Sequence, residues 1–211
     1  ARAAGSEIKY FYAHESTGYK IGFDYLDSIT DDTDILFLCN PENPTGTLIE
    51  PELLARIIQK TADMNITAVI DECFLNFTDS FNKGSMIKNL GRYKNLIVLK
   101  AFTKMYALPG VRIGYALTYN KEAIDKIYSV RQPWSVSVVA QAAGEAALDK
   151  TEIEAAARKY IKQERDFLCR EFDRLGIYYI KPEANYIFFS NKTGLKERLI
   201  KENILIRDCS D

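Results

Sequence analysis

The chain has 211 residues, 47% hydrophobic and 27% charged, with a formal net charge of −1. Such values belong to an ordinary globular protein with enough chain to bury a core. The balanced charge, the lack of any basic run and the lack of an apolar stretch near the roughly 20 residues of a membrane span argue against nucleic acid and membrane as partners.

The start, ARAAG, reads as the end of a helix with Gly5 as its cap. No apolar leader stretch is seen at the start, and with no initial Met the chain reads as an excerpt of a longer protein. A first strand is expected over residues 34–39 (DILFLC), running into the turn-rich NPENPTG. A helix follows over 51–64, with Pro51 in its first turn and Leu54, Ile57, Ile58 and Thr61 near one face. Further strands are expected at 66–71 (ITAVID), 95–100 (NLIVLK) and 111–117 (VRIGYAL), with a short helix around 85–93. This alternation argues for a parallel α/β sheet with crossover helices.

An amphipathic helix is expected from Lys121 toward Pro133, then a small-residue helix (SVSVVAQAAGEAAL) that must pack closely. One long helix covers 152–175, with Ala156, Tyr160, Phe167 and Phe172 among its apolar positions. GIYYI, ANYIFF and ILIRD read as short strands, with a helix before the last. The four cysteines (Cys39, Cys73, Cys169, Cys209) form no CxxC pair and read as reduced, mostly buried thiols of a cytoplasmic protein. With one histidine, His14, no metal site is expected.

In open parallel sheets the site lies outside the carboxyl ends of the strands. Here those ends carry Asn40 and Asn43, then Asp71 and Glu72, then Lys100 and Lys104. An amide, a carboxylate and an amine would converge, with neither GxGxxG nor GxxxxGK[ST] in the chain. Pyridoxal 5′-phosphate suits that trio. Its aldehyde takes a lysine amine, its ring nitrogen a carboxylate, and its phenolate oxygen a hydrogen-bond donor. Its phosphate takes an arginine and hydroxyls.

NPENPTG (40–46), VIDECF (69–74) and FTKMYALPGVRIGY (102–115) resemble the three hallmark segments of class I/II aminotransferases, the fold-type I pyridoxal phosphate enzymes. Within them the chain most resembles the histidinol-phosphate aminotransferase and threonine-phosphate decarboxylase group. The resemblance implies a mainly parallel α/β large domain flanked by helices over 1–155, incomplete at its N-terminus. A linking long helix and part of a small α+β domain would cover 156–211. It makes Lys104 the Schiff-base lysine and the proton shuttle at the substrate α-carbon. Asp71 would pair with the ring nitrogen, Asn43 with the phenolate oxygen and the substrate, and Thr103 and Arg112 with the phosphate. Arg207, in ILIRDCS, would bind the substrate's phosphate or carboxylate. Lys100 and Glu72 read as structural, and Asn185 and Tyr186 as shaping the cleft.

Phe74 stands where many relatives have a tyrosine on the phenolate oxygen, and Ala101 where many have a serine. The resemblance implies transamination of a small phosphorylated amino compound, with L-threonine-O-3-phosphate decarboxylase as the alternative. Phe74 and RQPWSVS lean toward that alternative. A pyridoxal phosphate-binding regulator without turnover is a third reading. The family resemblance also implies a homodimer.

Overall fold

The computed structural model describes residues 5–190 and 194–209. The helix-end reading of residues 1–4 lies outside them; Gly5 itself has φ +74°. The sheet has four strands in sequence order: β1 (Ile35–Cys39), β2 (Thr67–Asp71), β3 (Leu96–Ala101) and β4 (Gly114–Leu117). β1, β2 and β3 are parallel, and the register sets Cys39, Asp71 and Leu99 side by side. β1 and β2 therefore end level, at the start of the polar residues of their motifs, and β3 runs two residues further to Ala101.

α1 (Pro51–Asp63) crosses between β1 and β2. Its apolar spacing works as the sequence suggests: Leu53, Leu54, Ile57 and Ile58 are fully buried against Leu36 and Leu38 of β1, Ala68 and Ile70 of β2, and Leu96 and Val98 of β3. Burying each of these larger aliphatic side chains is worth about 1.5–3 kcal/mol. The β2–β3 connection carries only the short α2 (Phe81–Gly84) and 3₁₀ turns, so the expected helix around 85–93 is a single turn at Ile87–Asn89.

β4 runs antiparallel to β3, not parallel as the alternation suggested. The cause lies in the connection. Of the connection over residues 102–113 only the one-turn α3 (Phe102–Met105), roughly 6 Å long, is helical, so no crossover helix carries the chain back along the sheet, which for a six-residue strand needs about 20 Å. The chain therefore reverses beside β3.

α4 (Lys121–Val130) and α5 (Val138–Leu148) are both N-capped by side chains: Asn120 Oδ1 accepts from Ala123 N, and Ser137 Oγ accepts from Ala140 N. The small-residue expectation for α5 is met at Gly144, where a Cβ would sit 2.7 Å from Ile113 Cδ1. α6 (Thr151–Leu175) is one continuous helix closed by Gly176 in the left-handed region, φ +64°. Its Tyr160 and Phe167 are exposed, and the buried residue on it is Arg165.

The expected C-terminal strands are not formed. Residues 176–190 make one antiparallel bridge, Tyr179 with Phe189, and 204–209 pair with nothing as a strand. Pro182 lacks a donor and turns the first segment, whose Glu183 N–H goes to Gly46 O instead of a ladder. α7 (Leu195–Lys201) matches the expected helix. The cysteines are free as read, but Cys39 and Cys209 are exposed. Cys39 lies on the open face of β1, whose residues alternate exposed and buried. No helix among the described residues is long and apolar enough to cross a membrane.

Candidate active site

The floor begins with the loop after β1. Asn40 is fully buried; its N–H donates to Asp71 O (2.9 Å) and its Oδ1 accepts from Ile49 N (3.0 Å). The loop closes on itself through Glu42 N to Thr47 O and Gly46 N to Glu42 O. Gly46 needs its lack of a side chain: φ is +74°, and a Cβ would sit 3.4 Å from Tyr186 Cε2. Glu183 N donates to Gly46 O (2.9 Å) and the Tyr186 phenol donates to Glu42 O (2.7 Å). The 182–186 segment is thereby clamped on the loop, leaving Asn43 exposed at the cleft.

The loop contains a pH-sensitive group. Glu42 is half-buried and accepts the Thr45 hydroxyl (3.0 Å). Burial lifts its carboxyl above the usual 4.5, against the lowering effect of the Thr45 and Thr47 hydroxyls. The folded chain thus holds a proton that the unfolded chain releases. The stability this lends is complete below 4.5 and is lost as pH rises through the folded value. Glu42→Gln is expected to melt above wild type at neutral pH, with the gap closing toward pH 4.5. A gap that does not change between the two conditions would contradict this.

At the end of β2, adjacent acids point opposite ways, as strand geometry requires. Asp71 is half-buried, and its Oδ1 accepts from Cys73 N (2.9 Å). Burial and then the Asp71 carboxylate push the Cys73 thiol up to about 12. Glu72 is fully buried and accepts from Ser85 Oγ (2.8 Å), Met86 N (2.6 Å) and Lys100 Nζ (3.0 Å). Lys100 also donates to Asn76 Oδ1 (3.0 Å).

The two lysines are thus sorted by their surroundings. Lys100 is nearly buried and ion-paired. Lys104 is exposed on α3, its Nζ 5.5 Å from the centroid of the Phe74 ring. Phe102 and Met105, both buried, anchor that single turn.

Asn43, Phe74, Lys104, Tyr186 and Arg207 line one cleft of about 790 Å³. Phe74 meets Tyr186 edge to face, centroids 5.1 Å apart. Burial, with smaller contributions from Cys39, Glu42 and Asp71, raises the Tyr186 phenol, so it stays a neutral donor. Asp71, at the end of β2, is not among the residues that line the cleft. Asn185, next to Tyr186 in the chain, is half-buried, and its Oδ1 has no hydrogen-bond partner among the described residues.

Thr103 and Arg112 are not among the residues lining this cleft. Thr103 is half-buried; Arg112 is exposed, has φ +56°, and donates from Nη1 to Pro109 O (3.1 Å). The cleft also contains Glu15, Tyr19 and Lys196, which no motif marked. Tyr19 enters through an edge-to-face contact with Phe188 at 5.7 Å, a pairing between residues far apart in the chain.

An aromatic aldehyde phosphate needs an amine, an acid, a donor and flat apolar walls. Lys104, Asn43 and the Phe74 and Tyr186 rings supply the amine, the donor and the walls within the cleft, and Asp71 supplies the acid at the end of β2, outside the residues that line it, so this set of residues fits pyridoxal phosphate.

The sheet, crossover and cleft define an α/β protein whose site lies at the carboxyl ends of parallel strands. The chain belongs to the aminotransferase class I and II family, whose model matches residues 1–211. It is 32% identical over 212 residues to the threonine-phosphate decarboxylase of Salmonella typhimurium, covering 99% of this chain and 58% of that protein. It is 34% identical over 182 residues to the histidinol-phosphate aminotransferase of Caldicellulosiruptor saccharolyticus, covering 85% of this chain and 50% of that one. The crystal structure of the histidinol-phosphate aminotransferase from Clostridium acetobutylicum superposes with a TM-score of 0.92 at 30% identity. That match covers 99% of this chain and 63% of that one. The chain therefore spans little more than half the length of these relatives.

Proposed function

We propose that this chain forms the cofactor-binding floor of a pyridoxal phosphate-dependent transaminase acting on a phosphorylated amino compound, like the histidinol-phosphate aminotransferases it resembles. The observation that carries this is the sorting of the lysines: Lys104 opens into a cleft with Asn43 and Arg207, while Lys100 is held by Glu72.

When bound, pyridoxal phosphate supplies an electron-accepting ring conjugated to the substrate's α-carbon. Lys104 holds the cofactor and then takes and returns the α-carbon proton. Asp71 keeps the ring nitrogen protonated by opposite charge. Asn43 would donate to the phenolate oxygen and touch the substrate, and Thr103 and Arg112, close to Lys104 in the chain but outside the cleft lining, would hold the cofactor phosphate. Arg207 pairs with the substrate's phosphate or carboxylate through its planar fork. Phe74 and Tyr186 keep water from the reacting face. The working protein is a homodimer.

A second reading is a threonine-phosphate decarboxylase. It is favoured by the Salmonella relative, which matches 99% of the chain, and by Phe74, whose ring cannot donate to the phenolate oxygen. The two differ in whether the Cα–H or the Cα–carboxylate bond breaks. The test uses the full-length protein, with histidinol phosphate plus 2-oxoglutarate in one assay and threonine phosphate in another. Glutamate in the first is the expected result. CO₂ from the second without glutamate replaces the first reading by the second. Bound cofactor with neither product places the chain among non-catalytic binders.

A further inference from the structure

The Lys104 turn is short and needs support from elsewhere. α3 is four residues long, and its exit bond is Ala107 N to Lys104 O (3.1 Å). Tyr106, two residues past Lys104, donates its phenol to Glu154 Oε1 on α6 at 2.5 Å. The same Oε1 accepts from Asn76 Nδ2 (3.4 Å). Asn76 Oδ1 in turn accepts from Lys100, which pairs with Glu72, the residue after Asp71. Arg158, one helical turn along α6, holds Glu154 Oε2 (3.3 Å) and Asn76 O (3.3 Å) and lies over the Phe81 ring at 4.0 Å.

An unbroken run of polar contacts therefore links the turn bearing Lys104 to the strand end bearing Asp71, and Glu154 is its crossing point. An exposed helical ion pair at this spacing contributes only a few tenths of a kcal/mol. Glu154 and Arg158 differ from that case. Their side chains are each only 20% exposed, and their partners come from two separate parts of the chain, around Asn76 and at Tyr106. Burial, then the Glu154 contact, raises the Tyr106 phenol, so it remains a donor.

We propose that Glu154 is a positioning residue that fixes the Lys104 turn relative to Asp71 through Tyr106 and Asn76. It touches neither substrate nor cofactor. Removing its carboxylate leaves the Tyr106 hydroxyl and Asn76 Nδ2 without their acceptor and frees α3 to drift. A displacement of about 1 Å in a catalytic group can cost up to 10²-fold in rate. The proposal rests on the function argued above.

The test uses the full-length protein loaded with pyridoxal phosphate. The visible absorbance of the lysine-bound cofactor is followed against pH, and kcat and KM are measured on the substrate that the preceding assays identify. Glu154→Ala and Tyr106→Phe are each expected to shift the pH midpoint of that absorbance and to lower kcat about tenfold with little change in KM. The double variant should be no worse than Glu154→Ala, because the contact that Tyr106→Phe removes is one that Glu154→Ala has already broken. Glu154→Gln retains an acceptor and should recover most of the rate. Should Glu154→Ala fail to fold, Tyr106→Phe and Glu154→Gln carry the test.

Unchanged midpoint and kcat in Tyr106→Phe overturn the proposal, even where the melting temperature falls. Lys104→Ala is the control for the underlying function. If wild type shows no absorbance that this variant removes, the function fails and the proposal with it. If that absorbance is present and only the Glu154 effects are missing, the proposal fails alone.

Discussion

Lys104→Ala is expected to abolish covalent cofactor attachment in the full-length protein and to cut turnover by at least about 10²–10⁴-fold, the range for losing a positioned proton-transfer group. Borohydride reduction of the loaded wild type should fix the cofactor to the peptide containing Lys104, and mass spectrometry reads this directly. Lys100→Ala should leave that attachment in place while lowering stability, because its amine is committed to Glu72 and Asn76. Attachment at Lys100 instead of Lys104 would reverse the assignment of the two lysines.

Glu72→Ala is expected to destabilise the chain by about 3–5 kcal/mol, the cost of leaving one member of a buried pair uncompensated. For a chain of this size that is a fall in melting temperature of about 6–20 °C. The substitution strands Lys100, with its side chain 9% exposed, and removes the acceptor of Met86 N and Ser85 Oγ. Combining Glu72→Ala with Lys100→Met should cost less than the sum of the two, since the second change removes the stranded charge. Simple additivity, measured by thermal or urea unfolding, would show that the pair is not coupled.

The sequence carried the strand positions well, because each strand is an apolar run ending in polar punctuation. Asp71 and Asn43 could be placed at strand ends on that ground alone. The direction of β4 was not legible in the alternation of elements. It depends on whether α3 is long enough to return the chain, and only the structure shows α3 to be one turn. The segments GIYYI and ANYIFF pair with each other only briefly, around the Tyr179–Phe189 bridge with Ile180 N to Phe188 O and Ser190 N to Tyr178 O, and ILIRD pairs with no strand among the described residues, because strand formation needs a neighbour as well as a propensity.

In the site, Lys104, Asn43 and Arg207 share the cleft, as their motifs suggested. Arg112 does not line that cleft; its left-handed backbone and its bond to Pro109 O are features that no motif encodes. Glu154 was hidden for a different reason. Its partners Asn76 and Tyr106 lie 78 and 48 residues away, so no local spacing could announce the contact.

α6 grips the protein at two places. Near its start Glu154 and Arg158 hold the α3 side, and further on Arg165 donates to Glu183 O and Ala184 O, the backbone just before Tyr186. Eleven residues of helix separate Glu154 from Arg165, about 16 Å. A straight rod bolted at both points acts as a calliper: the jaw carrying the amine and the jaw carrying the phenol keep a common spacing, and bending the rod changes both together.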